Sequence, residues 1–93
     1  MLEIRLNCEN CDKPLPNDSD EAMICTYECT FCKNCVETVL RNVCPNCGGG
    51  FEKRPTRPKG QLKKYPPRAD KVLKPVSENK FLEDNLDVDP RKR

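Results

Sequence analysis

The residues of this 93-residue chain that could do chemistry are its eight cysteines, spaced as Cys8-x2-Cys11, Cys25-x3-Cys29, Cys32-x2-Cys35 and Cys44-x2-Cys47. A gap of two or three residues lets a tight turn aim both sulfurs at one ion, so four such pairs read as two four-thiolate metal sites. There is no histidine, so neither site can use imidazole. All-cysteine ligation with no open position is the structural pattern rather than the hydrolytic one, and two zinc ions are the expected occupants. No serine, histidine or paired-carboxylate catalytic arrangement is recognisable, so the chain is not expected to be an enzyme.

Other uses of the sulfurs fit less well. Cys29-x2-Cys32-x2-Cys35 followed by Cys44-Pro45 matches a bacterial ferredoxin run in part, but eight residues separate Cys35 from Cys44 where an iron-sulfur run has three. Mononuclear iron is a rival occupant, because thiolate sites for iron and zinc are alike. Cys32-Lys33-Asn34-Cys35 has the form of a redox dithiol, yet each of its cysteines already has a place in a metal site. Redox sensing through metal release is the weaker form of that idea. Disulfides are disfavoured, since nothing near Met1 reads as a secretory signal: Glu3, Arg5, Asn7 and Glu9 interrupt every apolar run. A cytoplasmic setting without membrane contact is expected.

Four pairs can form two sites in three ways. Placing Cys25, Cys29, Cys32 and Cys35 on one ion crowds four ligands into eleven residues. Sequential pairing makes two finger-like units, each with too few apolar residues to bury. The crossed arrangement puts Cys8, Cys11, Cys32 and Cys35 on one ion and Cys25, Cys29, Cys44 and Cys47 on the other, sharing one core between both. Sequential and crossed pairing remain the two candidates, with the crossed one favoured.

The elements that must position these sulfurs are few. Val36, Val39, Leu40 and Val43 fall at i, i+3, i+4 and i+7, the spacing of one helical face, between Cys35 and Cys44. Together with Phe31 they are expected to be core. Ala22 to Tyr27 suits one arm of a β-hairpin, Met1 to Leu6 alternates apolar and charged residues, and Pro14 to Glu21 has loop composition. Some fifty residues with so thin an apolar set cannot offset their ordering entropy unaided, so metal is expected to hold the fold.

Residues 1–52 are expected to form this domain and 53–93 a largely disordered tail. Pro55, Pro58, Pro66, Pro67 and Pro75 remove backbone donors and block helix across the junction. Phe81, Leu82 and Leu86 could share one side of a short helix at 78–86, and docking to a partner competes there with plain disorder. The net charge of +2 conceals two halves: residues 1–52 carry four basic and nine acidic side chains, net -5, and the remainder thirteen and six, net +7. Lys53 to Lys74 holds nine basic residues and one acid, so nucleic-acid binding through the tail is the alternative function. Only Tyr65 interleaves as an aromatic, and the tail could equally contact its own acidic domain.

Phe31-Cys32, Cys35 leading into the Val39-Leu40 helix, and Cys44-Pro45-Asn46-Cys47 resemble the second half of a RING finger. More narrowly, Met1-Leu2-Glu3, Leu15-Pro16, Ile24-Cys25, Glu28-Cys29-Thr30-Phe31-Cys32, Val43-Cys44-Pro45-Asn46-Cys47-Gly48-Gly49 and Arg54-Pro55-x-Arg57-Pro58 resemble the small bacterial proteins grouped as domain of unknown function 1272. The resemblance covers about residues 1 to 75. It implies a small metal-bound α+β fold of RING-like cross-brace or treble-clef type, with two zinc sites, one short helix and a small β-hairpin, and it implies no activity. The crossed pairing agrees with the RING resemblance. Ubiquitin-ligase-like activity is a further alternative, but three departures weigh against it. Cys29 stands where those ligases usually carry histidine, Glu9 follows the first cysteine where an aliphatic contact is expected, and tryptophan is absent. The expected role is a monomeric, non-enzymatic interaction or regulatory adaptor for a protein partner that the sequence does not name.

Overall fold

The computed structural model describes all residues, 1–93. A small antiparallel sheet lies at its centre. β1 (Ala22–Ile24) pairs with β2 (Thr30–Cys32), Met23 facing Phe31, and with β3 (Glu52–Lys53) on its other edge, giving the order β2-β1-β3. The hairpin turn runs through Cys25 to Cys29 and requires a left-handed residue, Glu28, at φ 62°. Its backbone closes by Glu28 N–H to Cys25 O at 3.0 Å and Cys25 N–H to Cys29 O at 3.3 Å.

β2 leads directly into α1 (Lys33–Cys35), whose N-terminus is capped by the Cys32 sulfur accepting the Cys35 N–H. The helix continues as a π-helical turn over Val36–Leu40 and stops where Arg41 and Asn42 both take left-handed conformations, φ 52° and 60°. This changes which residues the expected apolar face delivers. Val36 and Leu40 are buried, but Val39 is 41 % exposed. A π turn holds more residues than the about 3.6 of an α-helix, so the i+3 position swings off the face while i+4 stays on it. Val43 is fully buried, but it reaches the interior from beyond the helix end rather than by helical spacing.

The main core comprises Leu15, Ala22, Phe31, Val36, Leu40 and Phe51 with six cysteines, so half of it is sulfur. Phe31 and Phe51 meet edge to face, centroids 5.5 Å apart. Beside it lie Ile4, from the alternating N-terminal stretch, which forms no strand, and Arg54, which is 1 % exposed. The Arg54 guanidinium donates to the carbonyls of Arg5 at 2.6 Å, Leu15 at 3.0 Å and Pro16 at 2.6 Å. Burial pulls its pKa below the ordinary arginine value. Arg57 and Asn17 then exchange two bonds, N–H to Oδ1 at 3.0 Å and Nδ2–H to O at 2.8 Å. The packed unit therefore continues past residue 52 to about residue 57.

The backbone of residues 58–93 is irregular, with 3-10 turns at Lys59–Gln61 and Pro90–Lys92 and one short helix, α2 (Leu82–Asn85), and it runs over the domain. Arg68 meets Glu3 at 3.2 Å and Lys71 meets Asp12 at 3.0 Å, so the opposed charges of the two halves attract within one chain. Asn79 donates to Val43 O at 2.8 Å, Asn85 to Gly48 O at 2.9 Å and Arg93 to Asn42 O at 2.7 Å. No helix is long and apolar enough to cross a membrane.

Candidate metal centre

The fold gathers the cysteines into two groups. The sulfurs of Cys8, Cys11, Cys32 and Cys35 all lie within 4.8 Å of one another, as do those of Cys25, Cys44 and Cys47. Cys29 falls outside that mutual distance but adjoins the second group, its thiol hydrogen-bonded with those of Cys25 and Cys44. The pairs that meet are thus first with third and second with fourth.

Local structure explains how each pair is aimed. Cys8 and Cys11 sit on a turn closed by Asp12 N–H to Cys8 O at 2.9 Å, with Asp12 at φ 64°. Cys32 ends β2 and Cys35 lies one turn on in α1, so strand-to-helix continuity turns both towards the Cys8–Cys11 knuckle. Cys25 and Cys29 flank the hairpin turn. Cys44 and Cys47 form the last knuckle, closed by Gly48 N–H to Cys44 O at 2.8 Å with Gly48 at φ 78°, a conformation glycine adopts without strain.

The spacing suits a metal rather than a disulfide. Cys11 and Cys32 sulfurs are 3.7 Å apart and those of Cys25 and Cys44 3.5 Å. A disulfide needs about 2.05 Å. Four sulfurs about 2.3 Å from a central ion lie at tetrahedral corners about 3.8 Å apart. None of the eight cysteines forms a disulfide.

Donors also point at the sulfurs, as thiolates require. Tyr27 N–H reaches Cys25 Sγ at 3.3 Å, Asn46 N–H reaches Cys44 Sγ at 3.4 Å and Gly49 N–H reaches Cys47 Sγ at 3.4 Å. Asparagine side chains add one bond to each group, Asn10 to Cys35 at 3.3 Å and Asn46 to Cys29 at 3.2 Å. Thiols this close cannot all ionise unless a cation shares their charge. Hydrogen bonds from Cys25 and then Cys44 hold Cys29 down at about 2, while sharing its proton with Cys29 pushes Cys25 up to about 11. Bonds to Cys25 and Cys29 push Cys44 up as well. In the first group burial pushes Cys35 up to about 12. Both groups can therefore hold a metal ion, and either would release protons on taking one.

Residues beyond the cysteines shape the site, and two were not apparent beforehand. Glu9, beside the first cysteine, is a buried carboxylate. It accepts from Arg5 at 2.8 Å and from the Thr30 N–H, tying the first knuckle to β2. Asn10 accepts the Val76 N–H on its oxygen while its nitrogen donates to Cys35. Neither has a sequence signal beyond its position inside a Cys-x2-Cys knuckle.

Residues 1–57 match the family described as "Protein of unknown function (DUF1272)". An uncharacterised protein of Rhizobium meliloti (strain 1021) is 60 % identical over 75 residues, 81 % of this chain and 89 % of that relative. No solved structure matches the chain. The matched family region ends at Arg57, where the Asn17 clasp completes the packed unit, and contains all eight cysteines. The chain belongs to the DUF1272 family.

Proposed function

We propose that this protein is a non-enzymatic module in which two structural zinc ions hold a RING-like cross-braced fold, serving as a protein interaction or regulatory adaptor. One observation carries the reading: sulfurs drawn crosswise from distant parts of the chain gather in two sets, four within 4.8 Å of one another in the first and three with Cys29 beside them in the second, with N–H donors aimed at them. Zinc fits because it has no geometric demand beyond a tetrahedron and no redox chemistry to protect. Ligase-like recruitment is disfavoured, because Glu9 is buried in bonds to Arg5 and Thr30 and its carbonyl is covered by the Lys74 N–H at 2.7 Å. Nucleic-acid binding through Lys53 to Lys74 is the lesser reading. Arg54, Arg57, Arg68 and Lys71, four of the nine cations there, are already spent on carbonyls or carboxylates of the same chain.

Metal analysis of the purified chain tests the central claim. Two zinc ions per chain and a colourless solution are expected; one ion, or the visible absorption of an iron-thiolate site, would refute it. Capture experiments with the zinc-loaded full chain and with a form ending at Arg57 test the adaptor role. Partners retained by both would bind the domain, and the absence of specific binding to either would end the adaptor reading.

A further inference from the structure

Residues 71–76 lie as an extended strap along the first knuckle, residues 7–12. Asn7 Nδ2 donates to Val72 O at 2.8 Å, Lys74 N–H to Glu9 O at 2.7 Å, and Val76 N–H to Asn10 Oδ1 at 2.7 Å. Residues 72, 74 and 76 thus face the knuckle, the two-residue period of an extended chain adding itself to an edge. Lys71 Nζ closes the end of the strap on Asp12 at 3.0 Å. Asn10 is the junction. The side chain whose oxygen receives the strap turns its nitrogen to Cys35 Sγ at 3.3 Å. Receiving the Val76 N–H fixes the amide plane, and the fixed plane aims the donor at a sulfur of the first cluster.

We propose that docking of residues 71–76 and metal occupancy of the Cys8–Cys11–Cys32–Cys35 cluster are linked through Asn10, so that each strengthens the other and metal loss releases the strap. The proposal rests on the metal-binding reading above. A metal on Cys35 makes its sulfur a persistent thiolate, a better acceptor for Asn10 Nδ2 and hence a firmer holder of the amide orientation the strap needs. Linkage of this kind is reciprocal: whatever the metal gives the strap, the strap gives the metal. Release frees Lys71 and Lys74 and uncovers the knuckle backbone at Glu9, which an extended segment of another chain could then pair with.

The test uses the full chain loaded with cadmium-113, which takes thiolate sites and gives a separate resonance for each, assigned through couplings to cysteine protons. Val76→Pro removes the N–H that Asn10 accepts; because the Val76 side chain also packs against the core, it is read against Val76→Ala, which loses that packing but keeps the N–H. In competition with a chelator the proline variant is expected to bind metal at the first cluster roughly three- to tenfold more weakly, the effect of one hydrogen bond, with the second cluster unchanged. Asn10→Ala should weaken the first cluster similarly, and adding Val76→Pro to it should do nothing more, because both act through one contact. An unchanged first cluster, equal weakening of both clusters, or additive effects would each overturn the proposal. If Asn10→Ala fails to fold, amide exchange in the unmodified chain decides. Protection of Lys74 and Val76 should fall in step with the first cadmium signal as chelator is added, and protection that outlasts that signal overturns the linkage. Fewer than two bound ions would sink the metal reading with it; two ions with a silent Val76→Pro would sink the linkage alone.

Discussion

Residues 1–57 and 58–93 are held by different forces. The first region buries six cysteines with six other apolar residues, and each sulfur group draws on segments far apart in the chain. The second buries no residue at all, yet it makes hydrogen bonds to the first from Arg68 near its start to Arg93 at its end. Ligation through a shared centre is cooperative, because loss of one ligand loosens every segment that meets there. A row of separate contacts, polar apart from Val76 against the core, opens piece by piece. The domain should therefore behave as one unit that metal makes or breaks, and the tail as a set of local equilibria on its surface.

Chelation is the largest perturbation of that contrast. Structural zinc supplies about 10 to 16 kcal/mol of apparent binding free energy in small fingers, more than so thin a core can replace. Complete metal removal is expected to abolish the circular dichroism and chemical-shift dispersion of both regions. A domain that keeps its dispersion while the tail alone disorders would reverse the assignment of forces.

Acidification acts through the same ligands. Cys25 at about 11 and Cys35 at about 12 are protonated at neutral pH without metal, so loading displaces protons. The sign follows: affinity rises with pH below those values and falls as acid returns the protons, by about tenfold per pH unit for each proton displaced. Chelator competition between pH 8 and pH 6 should show this fall, and pH-independent affinity would contradict thiolate ligation.

Arg54→Met should be costly for one side chain. It leaves three carbonyls, of Arg5, Leu15 and Pro16, without their donor, a loss of about 2 to 4 kcal/mol. Thermal unfolding of the zinc-loaded variant measures it. A change within about 0.5 kcal/mol would place Arg54 among surface residues.

Deletion of residues 78–93 should matter least. It removes α2 and the bonds to Val43, Gly48 and Asn42, but each bond also orders chain that would otherwise be free, and the net is expected to be about 1 kcal/mol or less. A larger loss, with weaker metal binding at the second cluster, would make this stretch part of the domain.

What the sequence made legible was what chemistry constrains tightly. Short cysteine gaps and the absence of histidine point to clustered sulfurs that could hold metal, the apolar run from Ala22 marks one arm of the hairpin, and the spacing of Val36 and Leu40 marks the helix between the last two cysteine pairs. Patterns built on spacing alone did less well. Val39 reads as core only if the helix keeps an α-helical pitch, and the π turn removes that condition. β3 has no apolar alternation to announce it: Glu52 and Lys53 are both exposed, and the strand exists because β1 has a free edge beside Phe51. The buried Arg54 and the strap have polar sequences that read as solvated. Their roles depend on carbonyls brought together only by the finished fold.

The crossed grouping of sulfurs also has a consequence in time. As the chain leaves the ribosome, Cys8 and Cys11 appear first and must wait for Cys35 before their set is complete, and the Cys25 hairpin waits in turn for Cys47. Synthesis proceeds at about 5–20 residues per second, so these intervals last on the order of a second, far longer than the sub-microsecond closure of such loops. Filling of the two proposed metal sites would then follow emergence, the first cluster before the second. Residues 71–76 emerge after both cysteine sets, to fasten a knuckle already assembled.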